Sequence, residues 1–316
     1  MADPSTNPAR NIRKEAARLG FSAIGFSSPL PQPLAMQRYN AMIAEHRHAE
    51  MTYLEQRTDE RRMPSMLLPG LKTIISAAIC YNHLLHNSSG KPNISKYALI
   101  DDYHIIIRKK LEELLISLKN LMGDDLDATI TIDSSPVLEK TWAEHSGIGK
   151  TGKNTLLIVP SAGSYVFLGE IFINKEITEN KLPIPNLCGS CSNCLENCPT
   201  GALIEPGKLD ASKCISYLTV ELKRDFTAEE SAIIGNHLFG CDQCQTCCPH
   251  NQHASITADK SFTLRNDLLN ISTETILNLT KSSFRNLFYG TSVFRIGLKR
   301  LKRNARAVQE NLNRAK

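Results

Sequence analysis

Hydrophobic and polar positions along the first half of the chain predict a mixture of helices and strands. Residues 71–81 form a short, apolar, β-branched run that is typical of a buried strand. Residues 102–121 repeat leucine and isoleucine at three- and four-residue spacing, which predicts an amphipathic helix. A strand is expected at 128–132, and Ser134 or Ser135 is expected to cap the helix that follows it.

Two further strands are predicted before the chain changes character. They occupy residues 155–160 and 165–174, with a tight turn of Ser, Ala and Gly between them. Strands that alternate with helices predict a layered α/β (α+β) domain, which we place at residues 1–178. Pro183 and Pro185 then mark a linker.

Cysteine is concentrated in one segment of the chain. Of the ten cysteines, one is Cys80 and the others all lie between Cys188 and Cys248. The first residues carry no apolar run of the kind that directs secretion, so we expect a reducing, cytoplasmic location. Clustered thiols in such a compartment are typically metal ligands or redox groups, which predicts a metal-bearing domain at residues 179–255.

The cysteine spacing is that of a bacterial ferredoxin. The first half reads Cys188-x2-Cys191-x2-Cys194-x3-Cys198-Pro199, and the second half reads Cys241-x2-Cys244-x2-Cys247-Cys248-Pro249. In two-cluster ferredoxins the cysteine before the proline ligates the other cluster, so the pattern predicts two [4Fe–4S] clusters. The expected ligands of cluster 1 are Cys188, Cys191, Cys194 and Cys248. Those of cluster 2 are Cys198, Cys241, Cys244 and either Cys214 or Cys247.

Cys214 is the favoured fourth ligand of cluster 2. Use of Cys247 would place ligands of two different clusters on adjacent residues, so Cys247 is interpreted as a spare thiol and Cys80 as a small apolar side chain. Structural zinc and a disulfide scaffold remain alternatives. Zinc sites usually pair two CxxC units without the longer run seen here, and disulfides need an oxidising compartment.

Positive charge is concentrated at the end of the chain. The whole chain carries a formal net charge of +5, whereas the segment from Arg295 onwards contains many Lys and Arg and one acid, Glu310. We therefore predict a short basic helical segment at residues 256–316 that is suited to a polyanion; a solvated amphipathic helix is the alternative. No convincing glycine-rich dinucleotide fingerprint appears, so a nicotinamide or flavin site is not expected.

Several stretches, taken together, resemble one family. They are residues 61–70, 95–104, 133–140, 147–157, 188–203, 214–219 and 240–245. The combination resembles the epoxyqueuosine reductases, which are cobalamin-dependent iron–sulfur enzymes of tRNA modification, and it covers about residues 10–310. Many members of that family continue into a helical-repeat region, so contacts from such a region are expected to be missing or replaced in this chain.

The resemblance implies a function. The chain would reduce epoxyqueuosine, at the wobble position of tRNA, to queuosine, with electrons passing through the two clusters to a cobalamin held by residues 1–178. Asp133 would protonate the departing epoxide oxygen, since a carboxylic acid in an apolar site can keep its proton to neutral pH. Without the resemblance, Asp133 would be interpreted as a helix cap.

The resemblance also implies further site residues. Around the corrin it places Arg61, Ser95, Asp133, Lys153 and Asn154, with Ser216 and Asp242 on the cluster side. The basic tail itself fits such a tRNA partner: its cations would neutralise phosphates, and Tyr289, Phe294 or Phe288 would stack on anticodon-loop bases. These cations are Arg295, Lys299, Arg300, Lys302 and Arg303. Surface charges, turns and caps are the alternative interpretations of these residues, and His104 is interpreted as a structural histidine.

The sequence also suggests partners for the protein and two other functions that it could have. A small flavodoxin or ferredoxin is the expected electron donor, the protein is expected to be a monomer, and no membrane is involved. The alternatives are a cobalamin- and iron–sulfur-dependent reductase of small molecules, similar to reductive dehalogenases, and a non-catalytic iron–sulfur carrier or RNA-binding module.

Overall fold

The protein is described by a computed structural model over residues 8–85, 91–179 and 184–314. Pro183 of the predicted linker lies outside these residues. The strands in chain order are β1 (Ala23–Ser27), β2 (Thr73–Cys80), β3 (Asn93–Ile94), β4 (Ala128–Thr131), β5 (Lys150–Thr151), β6 (Leu157–Ile158), β7 (Val166–Ile173), β8 (Leu203–Glu205), β9 (Lys208–Leu209) and β10 (His237–Phe239).

Helices surround these strands. They are α1 (Pro8–Arg18), α2 (Pro33–Ala44), α3 (Thr58–Arg62), α4 (Tyr103–Met122), α5 (Glu139–His145), α6 (Asn193–Glu196), α7 (Ile215–Val220), α8 (Ala228–Ile233), α9 (Gln243–Thr246), α10 (Pro249–Gln252), α11 (Asn266–Leu269), α12 (Thr273–Leu277), α13 (Lys281–Phe288) and α14 (Gly297–Arg314). No helix among the described residues is long and apolar enough to cross a membrane.

An antiparallel sheet in the order β1-β2-β7-β4 forms the first layer of the fold. Every residue of β2 is buried because both faces of the sheet are covered, which explains its continuous apolar run. Ile75 and Ile171 pack in one core with apolar residues of α1 and α4. Ile74 and Phe172 point to the other face, where Trp142 of α5 covers them. Burial of each such side chain contributes about 1.5–3 kcal/mol.

Two sequence expectations about this layer were wrong. The helix after β4 begins at Glu139, with Leu138 at its N-cap and no side-chain cap, so neither Ser134 nor Ser135 caps it. Residues 155–160 and 165–174 do not form a hairpin of two long strands. Only β6 is regular in the first stretch, and it pairs with β5 instead of β7. The remaining predictions, for β2, α4, β4 and β7, agree with the structure to within about two residues.

A second core joins the cysteine segment to the C-terminal helices. Leu218 of α7 and Phe239 of β10 pack with Phe288 of α13 and Leu301 of α14 in one apolar cluster, to which Ile94 of β3 also belongs. This core crosses the boundary expected at residue 255. The basic end of the chain is therefore part of the folded body and packs against the cysteine-bearing elements.

Candidate functional site

Four cysteines line one cavity. Its volume is about 170 Å³, and its walls include Cys188, Cys191, Cys194 and Cys248, which are the thiols that the spacing assigns to cluster 1. Within the described ranges, no three His, Cys, Asp or Glu side chains converge as they would around a single metal ion. The four thiols stand around the cavity, which has room for a group of several atoms. Their role as ligands stays a prediction.

Short local elements create this arrangement. The N–H of Cys191 donates to the carbonyl of Cys188 at 2.9 Å, a turn that carries the chain into the short helix α6. Cys248 has an extended backbone, with φ −75° and ψ 123°, because the residue before a proline avoids the helical region. Pro249 then begins α10. The second half of the motif repeats this plan with α9.

The thiols predicted for cluster 2 include three that are largely buried, those of Cys214, Cys241 and Cys244. Burial is the main cause that raises the pKa of Cys241 to about 12, and the neighbouring charges of Cys214, Asp242 and Cys198 add to it. Cys214 and Cys241 also act on the pKa of Cys244, which burial raises. Such mutual influence requires short separations. The structure thus gathers the residues predicted for cluster 2, namely Cys198, Cys214, Cys241 and Cys244.

The two remaining cysteines differ from each other. Cys80 is buried in β2, and its Sγ donates to the carbonyl of Ser255 at 3.3 Å. Cys247 is half-buried, and its carbonyl accepts from Asn193 Nδ2 at 3.4 Å. The pKa of the Cys247 thiol is raised, mainly by burial and then by the charges of Cys248, Cys191 and Cys198, so Cys247 lies beside cysteines of both predicted clusters. The choice of Cys214 over Cys247 as a ligand stays a prediction.

Lys153 and Asn154 connect the N-terminal domain to the cysteine segment. The backbone N–H of Lys153 donates to Cys188 Sγ at 3.4 Å, and its Nζ donates to the carbonyl of Cys191 at 2.7 Å. Asn154 is buried, and its Nδ2 donates to the carbonyl of Cys244 at 3.3 Å. Hydrogen bonds to cluster sulfurs are among the factors that set a cluster's reduction potential. The hydrogen bonds of these two residues go to the cysteine segment, and a corrin contact for them stays a prediction.

The other residues that were expected near a corrin lie in different parts of the structure. Ser95 is buried beneath Gly240, where an added Cβ would lie 2.3 Å from Ser95 Oγ. Asp242 Oδ2 accepts the backbone N–H of Lys96 at 2.8 Å, so Ser95 and Asp242 belong to one junction. The guanidinium of Arg61 lies over the ring of Tyr39, 5.5 Å from its centroid. Ser216 is half-buried in the first turn of α7.

Asp133 is held by three neighbours. Its backbone has a φ of 43°, the left-handed region that non-glycine residues rarely adopt, and its N–H donates to Glu139 Oε1 at 2.6 Å. Its Oδ2 accepts the hydroxyl of Tyr103 at 2.8 Å and lies 2.8 Å from His104 Nε2. The other imidazole nitrogen, Nδ1, lies 2.7 Å from Asp102 Oδ1. His104 is therefore bridged between two carboxylates.

The two carboxylates on either side of His104 determine which of the three groups is protonated. Burial opposes the charged imidazolium, but the hydrogen bonds to Asp102 and Asp133 outweigh it and raise the pKa of His104 to about 9. The hydrogen bond from His104 is the main cause that lowers the pKa of Asp133, and it outweighs burial. The expectation that Asp133 keeps its own proton in an apolar site was wrong. Near neutral pH, His104 holds the proton and Asp133 is a carboxylate.

Stacked rings fix the phenol and the imidazole. Tyr103 lies against His104, with ring centroids 4.1 Å apart, and against Phe167 of β7 at 4.2 Å and 6° between planes. Phe167 stacks in turn on Tyr81 at 4.1 Å. This ring column runs from Asp133 into the core. Offset stacking of this kind contributes about 0.5–1.5 kcal/mol per pair beyond burial.

The basic C-terminal residues have mixed environments. Lys299 is exposed and Lys302 half-buried, whereas Arg295 pairs with Glu221. Arg303 is buried, and it donates to the carbonyls of Leu222 at 2.8 Å and Leu218 at 3.0 Å, so the expectation that it contacts tRNA was wrong. Arg300 also donates to a carbonyl of the same region, that of Val220, at 3.2 Å.

Helix capping gives the physical reason for the buried arginine. The last carbonyls of α7 need donors, and cations are favoured at a helix C-terminus. Arg303 and Asn304 supply the donors from α14, because Asn304 Nδ2 also donates to the carbonyl of Thr219 at 2.8 Å. Of the aromatic residues expected to stack on bases, Phe288 is buried and was wrongly predicted, whereas Tyr289 is 66% exposed.

The sequence interpretation missed His104, Tyr103 and Asp102 as site residues. Their signal was present in the adjacent residues Asp-Tyr-His at the start of the helix predicted over residues 102–121. Asp102 is indeed the N-cap of α4, and its side chain accepts the N–H of His104. The contact that gives these residues a role spans 29 positions, from His104 to Asp133, and no local pattern contains it.

Comparisons with known proteins agree with this architecture. Residues 61–134 match the family described as "Epoxyqueuosine reductase QueG, DUF1730", and residues 187–251 match the "4Fe-4S double cluster binding domain". An epoxyqueuosine reductase of Cellulophaga algicola is 34% identical over 293 residues, which are 93% of this chain and 95% of the relative.

Solved structures give the same result. A crystal structure of an epoxyqueuosine reductase with an epoxyqueuosine-modified tRNA-Tyr stem loop superposes with a TM-score of 0.89 and 30% identity, over 96% of this chain and 81% of the other. A Bacillus subtilis epoxyqueuosine reductase, with its catalytic aspartate loop swung out of the active site, superposes with a TM-score of 0.88 and 29% identity, over 97% and 82%.

Proposed function

The chain belongs to the epoxyqueuosine reductase family, and from that premise we propose that it reduces the epoxide of epoxyqueuosine in tRNA to the alkene of queuosine. The observation that carries the proposal is the Asp133 carboxylate, bound by a phenol and by a protonated imidazole at an open face. The relative solved with a modified tRNA stem loop supports the choice of substrate. The match extends over both halves of the chain, which argues against a non-catalytic carrier.

Electrons would enter through two [4Fe–4S] clusters. The first would be held by the four thiols that surround the 170 Å³ cavity, and the second by Cys198, Cys214, Cys241 and Cys244. Lys153 lines the first site and its N–H donates to Cys188 Sγ, so a residue of the N-terminal domain would tune the cluster held there. A flavodoxin or ferredoxin is the proposed donor, and the protein is proposed to act as a cytoplasmic monomer.

Cobalamin is the proposed cofactor beside Asp133. The fit rests on the open face there: the side chain of Asp133 is 56% exposed, and Tyr53, which the charges of Asp133 and Arg61 both influence, is 50% exposed. A partly apolar, partly polar face of this kind suits a corrin ring. When bound, cobalamin would supply the two-electron reduction at the epoxide carbon.

Residues of the chain itself would deliver the proton to the departing epoxide oxygen. Tyr103 and His104 hold the Asp133 carboxylate in place, and His104 carries the proton that Asp133 relays to the departing epoxide oxygen. The left-handed backbone at Asp133 turns its side chain towards α4, from which both partners come. The swung-out aspartate loop of the Bacillus subtilis relative suggests that this loop can also leave the site.

The tRNA is proposed to approach the exposed basic and aromatic residues of the C-terminal helices. Lys299 and Tyr289 are exposed there, whereas Arg303 and Phe288 are committed to the core. Lys299 would neutralise a phosphate, and Tyr289 would stack on an unpaired base.

The decisive experiment is turnover by the purified chain. The chain, with its clusters and cobalamin reconstituted, is incubated with an epoxyqueuosine-modified anticodon stem loop and a chemical reductant. Mass spectrometry of the released nucleosides should show the loss of one oxygen atom. A chain that holds about eight irons, from two four-iron clusters, and cobalamin but leaves epoxyqueuosine unchanged would refute the proposed function.

A further inference from the structure

The reaction needs more protons than the Asp133 site holds, and this inference rests on the proposed function. Conversion of an epoxide to an alkene consumes two electrons and two protons, and the oxygen leaves as water. Asp133 and His104 together hold one labile proton near neutral pH, because His104 is protonated and Asp133 is not. A second proton must therefore reach this pair within each turnover.

Glu139 is an acid that contacts the backbone of Asp133, whereas His104 contacts its side chain. It begins α5, and its Oε1 accepts the backbone N–H of Asp133 at 2.6 Å. The residue as a whole is half-buried. The Glu139 carboxyl takes no part in the proposed transfer of a proton from His104 through Asp133.

Glu170 lies in β7, on the face of the sheet that is covered by α5, the helix that Glu139 begins. It is 0% exposed, its Oε2 accepts the hydroxyl of Thr131 at 3.0 Å, and its Oε1 has no hydrogen-bond partner among the described residues. Glu170 pairs in register with Ser76 on β2 and with Thr131 on β4. Residues that stand directly opposite in antiparallel strands share one face, so these three polar side chains form a row across the sheet.

The row is covered by α5 and contains further unpaired polar atoms. Ile74 and Phe172 lie on the same face as Ser76 and Glu170, two positions away on each strand, and Trp142 of α5 packs on them. Ser76 Oγ and Trp142 Nε1 are both buried without a partner among the described residues. An unsatisfied buried polar group costs about 1–3 kcal/mol, so several together indicate a place for ordered water.

We propose that Glu170 and Glu139 form a buried carboxyl pair that stores the second proton and passes it to Asp133. The O–H bond of a carboxylic acid in the pair breaks, and the Asp133 carboxylate gains the proton that it later gives to the leaving oxygen. The pair recovers its proton from solvent through half-buried Glu139, and the electrons still come from the clusters. Ordered water beside Ser76 and Trp142 completes the hydrogen bonding of Glu170.

Electrostatics agree with a stored proton. Burial, followed by the negative charge of Asp133, raises the pKa of Glu139 to about 7; Lys140 and His104 are the cations that act against this rise. Burial, followed by the charge of Glu139, raises the pKa of Glu170 well above its ordinary value. Two neighbouring carboxyls that are shielded from water do not ionise together.

Infrared spectroscopy tests the stored proton without turnover. In the intact chain, Glu170 should contribute a carboxylic-acid C=O band at neutral pH that shifts in D₂O. Glu170→Gln, which has nearly the same shape, should lose this band, whereas Glu112→Gln, a change of an exposed residue on α4, should keep it. Persistence of the full band in Glu170→Gln would overturn the proposal.

Kinetics test the use of that proton. Glu170→Gln should keep its clusters and its KM for the modified stem loop, and lose kcat by about tenfold, which is less than the ~100- to 10,000-fold effect of a direct proton donor. The loss should grow as pH rises through about 7, where Glu139 also ionises. Wild-type kcat at every pH would overturn the proposal. If the wild-type chain reduces no epoxyqueuosine, the proposed function fails, and the infrared band still reports whether Glu170 is protonated.

Discussion

His104 Nε2 lies 2.8 Å from Asp133 Oδ2, and this contact makes a proton donor out of a carboxylate. Asp133 is ionised at neutral pH, since the hydrogen bond from His104 lowers its pKa. With the protonated imidazole attached, the pair presents a proton at the open face while the negative charge of Asp102 holds the imidazole from behind. The arrangement uses the same logic as a triad in which a buried carboxylate orients a histidine.

Asp133→Asn should lower kcat for epoxyqueuosine reduction by about 100- to 10,000-fold, because the amide cannot relay the proton of His104. Iron content, cobalamin binding and affinity for the stem loop should stay unchanged. Asp124→Asn is the matched control, since Asp124 is exposed after α4. Nucleoside mass spectrometry under single-turnover conditions measures the effect. Equal rates for the two variants would exclude Asp133 as the donor.

The pH dependence of kcat should carry an alkaline limb near 9. The folded-state pKa of His104 is about 9, above its ordinary 6.5, so the proton is present below that value and is lost as pH rises through it. The same shift in pKa stabilises the folded state: its contribution to the free energy of unfolding is full below about pH 6.5 and is lost as the pH rises through about 9. His104→Gln should lower kcat and remove the limb. An unchanged profile in that variant would contradict the assignment.

Asp102→Asn should move the alkaline limb to lower pH. Asparagine caps a helix as well as aspartate does, so α4 keeps its N-cap, but the imidazolium loses one of its two anionic partners. Thermal unfolding checks that the helix is intact, and the kcat profile reports the pKa of His104. Asp102→Asn is informative because it separates the charge of Asp102 from its capping function.

Cys214→Ala and Cys247→Ala should have opposite consequences for iron content. Loss of Cys214 should reduce the iron from about eight to about four per chain, because one four-iron cluster loses a ligand, whereas loss of Cys247 should leave about eight. Iron analysis and the ultraviolet–visible spectrum of the anaerobically purified proteins measure this. The reverse result would make Cys247 the fourth ligand of cluster 2.

Arg303→Met should lower the free energy of unfolding by about 2–4 kcal/mol, because the carbonyls of Leu218 and Leu222 lose their donor in the interior. Lys299→Met, an exposed change on the same helix, should leave the free energy of unfolding unchanged. It should weaken tRNA binding and make the binding constant depend less steeply on salt concentration, because one phosphate contact is lost. Thermal denaturation and binding titrations at two salt concentrations compare the variants. A stable Arg303→Met with weakened RNA binding would contradict the capping role.

Local patterns predicted much of the fold, and they grouped the four thiols that line one cavity. The apolar run of β2 and the periodicity of α4 reflect burial on defined faces, so they could be interpreted from neighbouring letters. The cysteine spacing grouped Cys188, Cys191 and Cys194 for the same reason, since each turn of the motif is local. Strand pairing did not follow from local sequence, and β6 pairs with β5 because the chain turns back within a few residues.

The proton-bearing site was predicted only in part. The family pattern pointed to Asp133, but the contacts with Tyr103 and His104 depend on how α4 packs across the sheet from β4. Arg303 was misjudged because a basic residue on an amphipathic helix is usually exposed. Its partners are the carbonyls of Leu218 in α7 and of Leu222 just after α7, both more than 80 positions earlier in the chain.

The ring column has a consequence for evolution and for protein engineering. Tyr103 is sandwiched between His104 and Phe167, a side chain without any polar atom, and Phe167 rests on Tyr81. An exchange of Phe167 for a smaller aliphatic residue would leave every titratable group in place and still loosen the phenol and imidazole that aim at the epoxide. Screens that vary only polar residues would overlook this position, although its ring stacks directly on Tyr103.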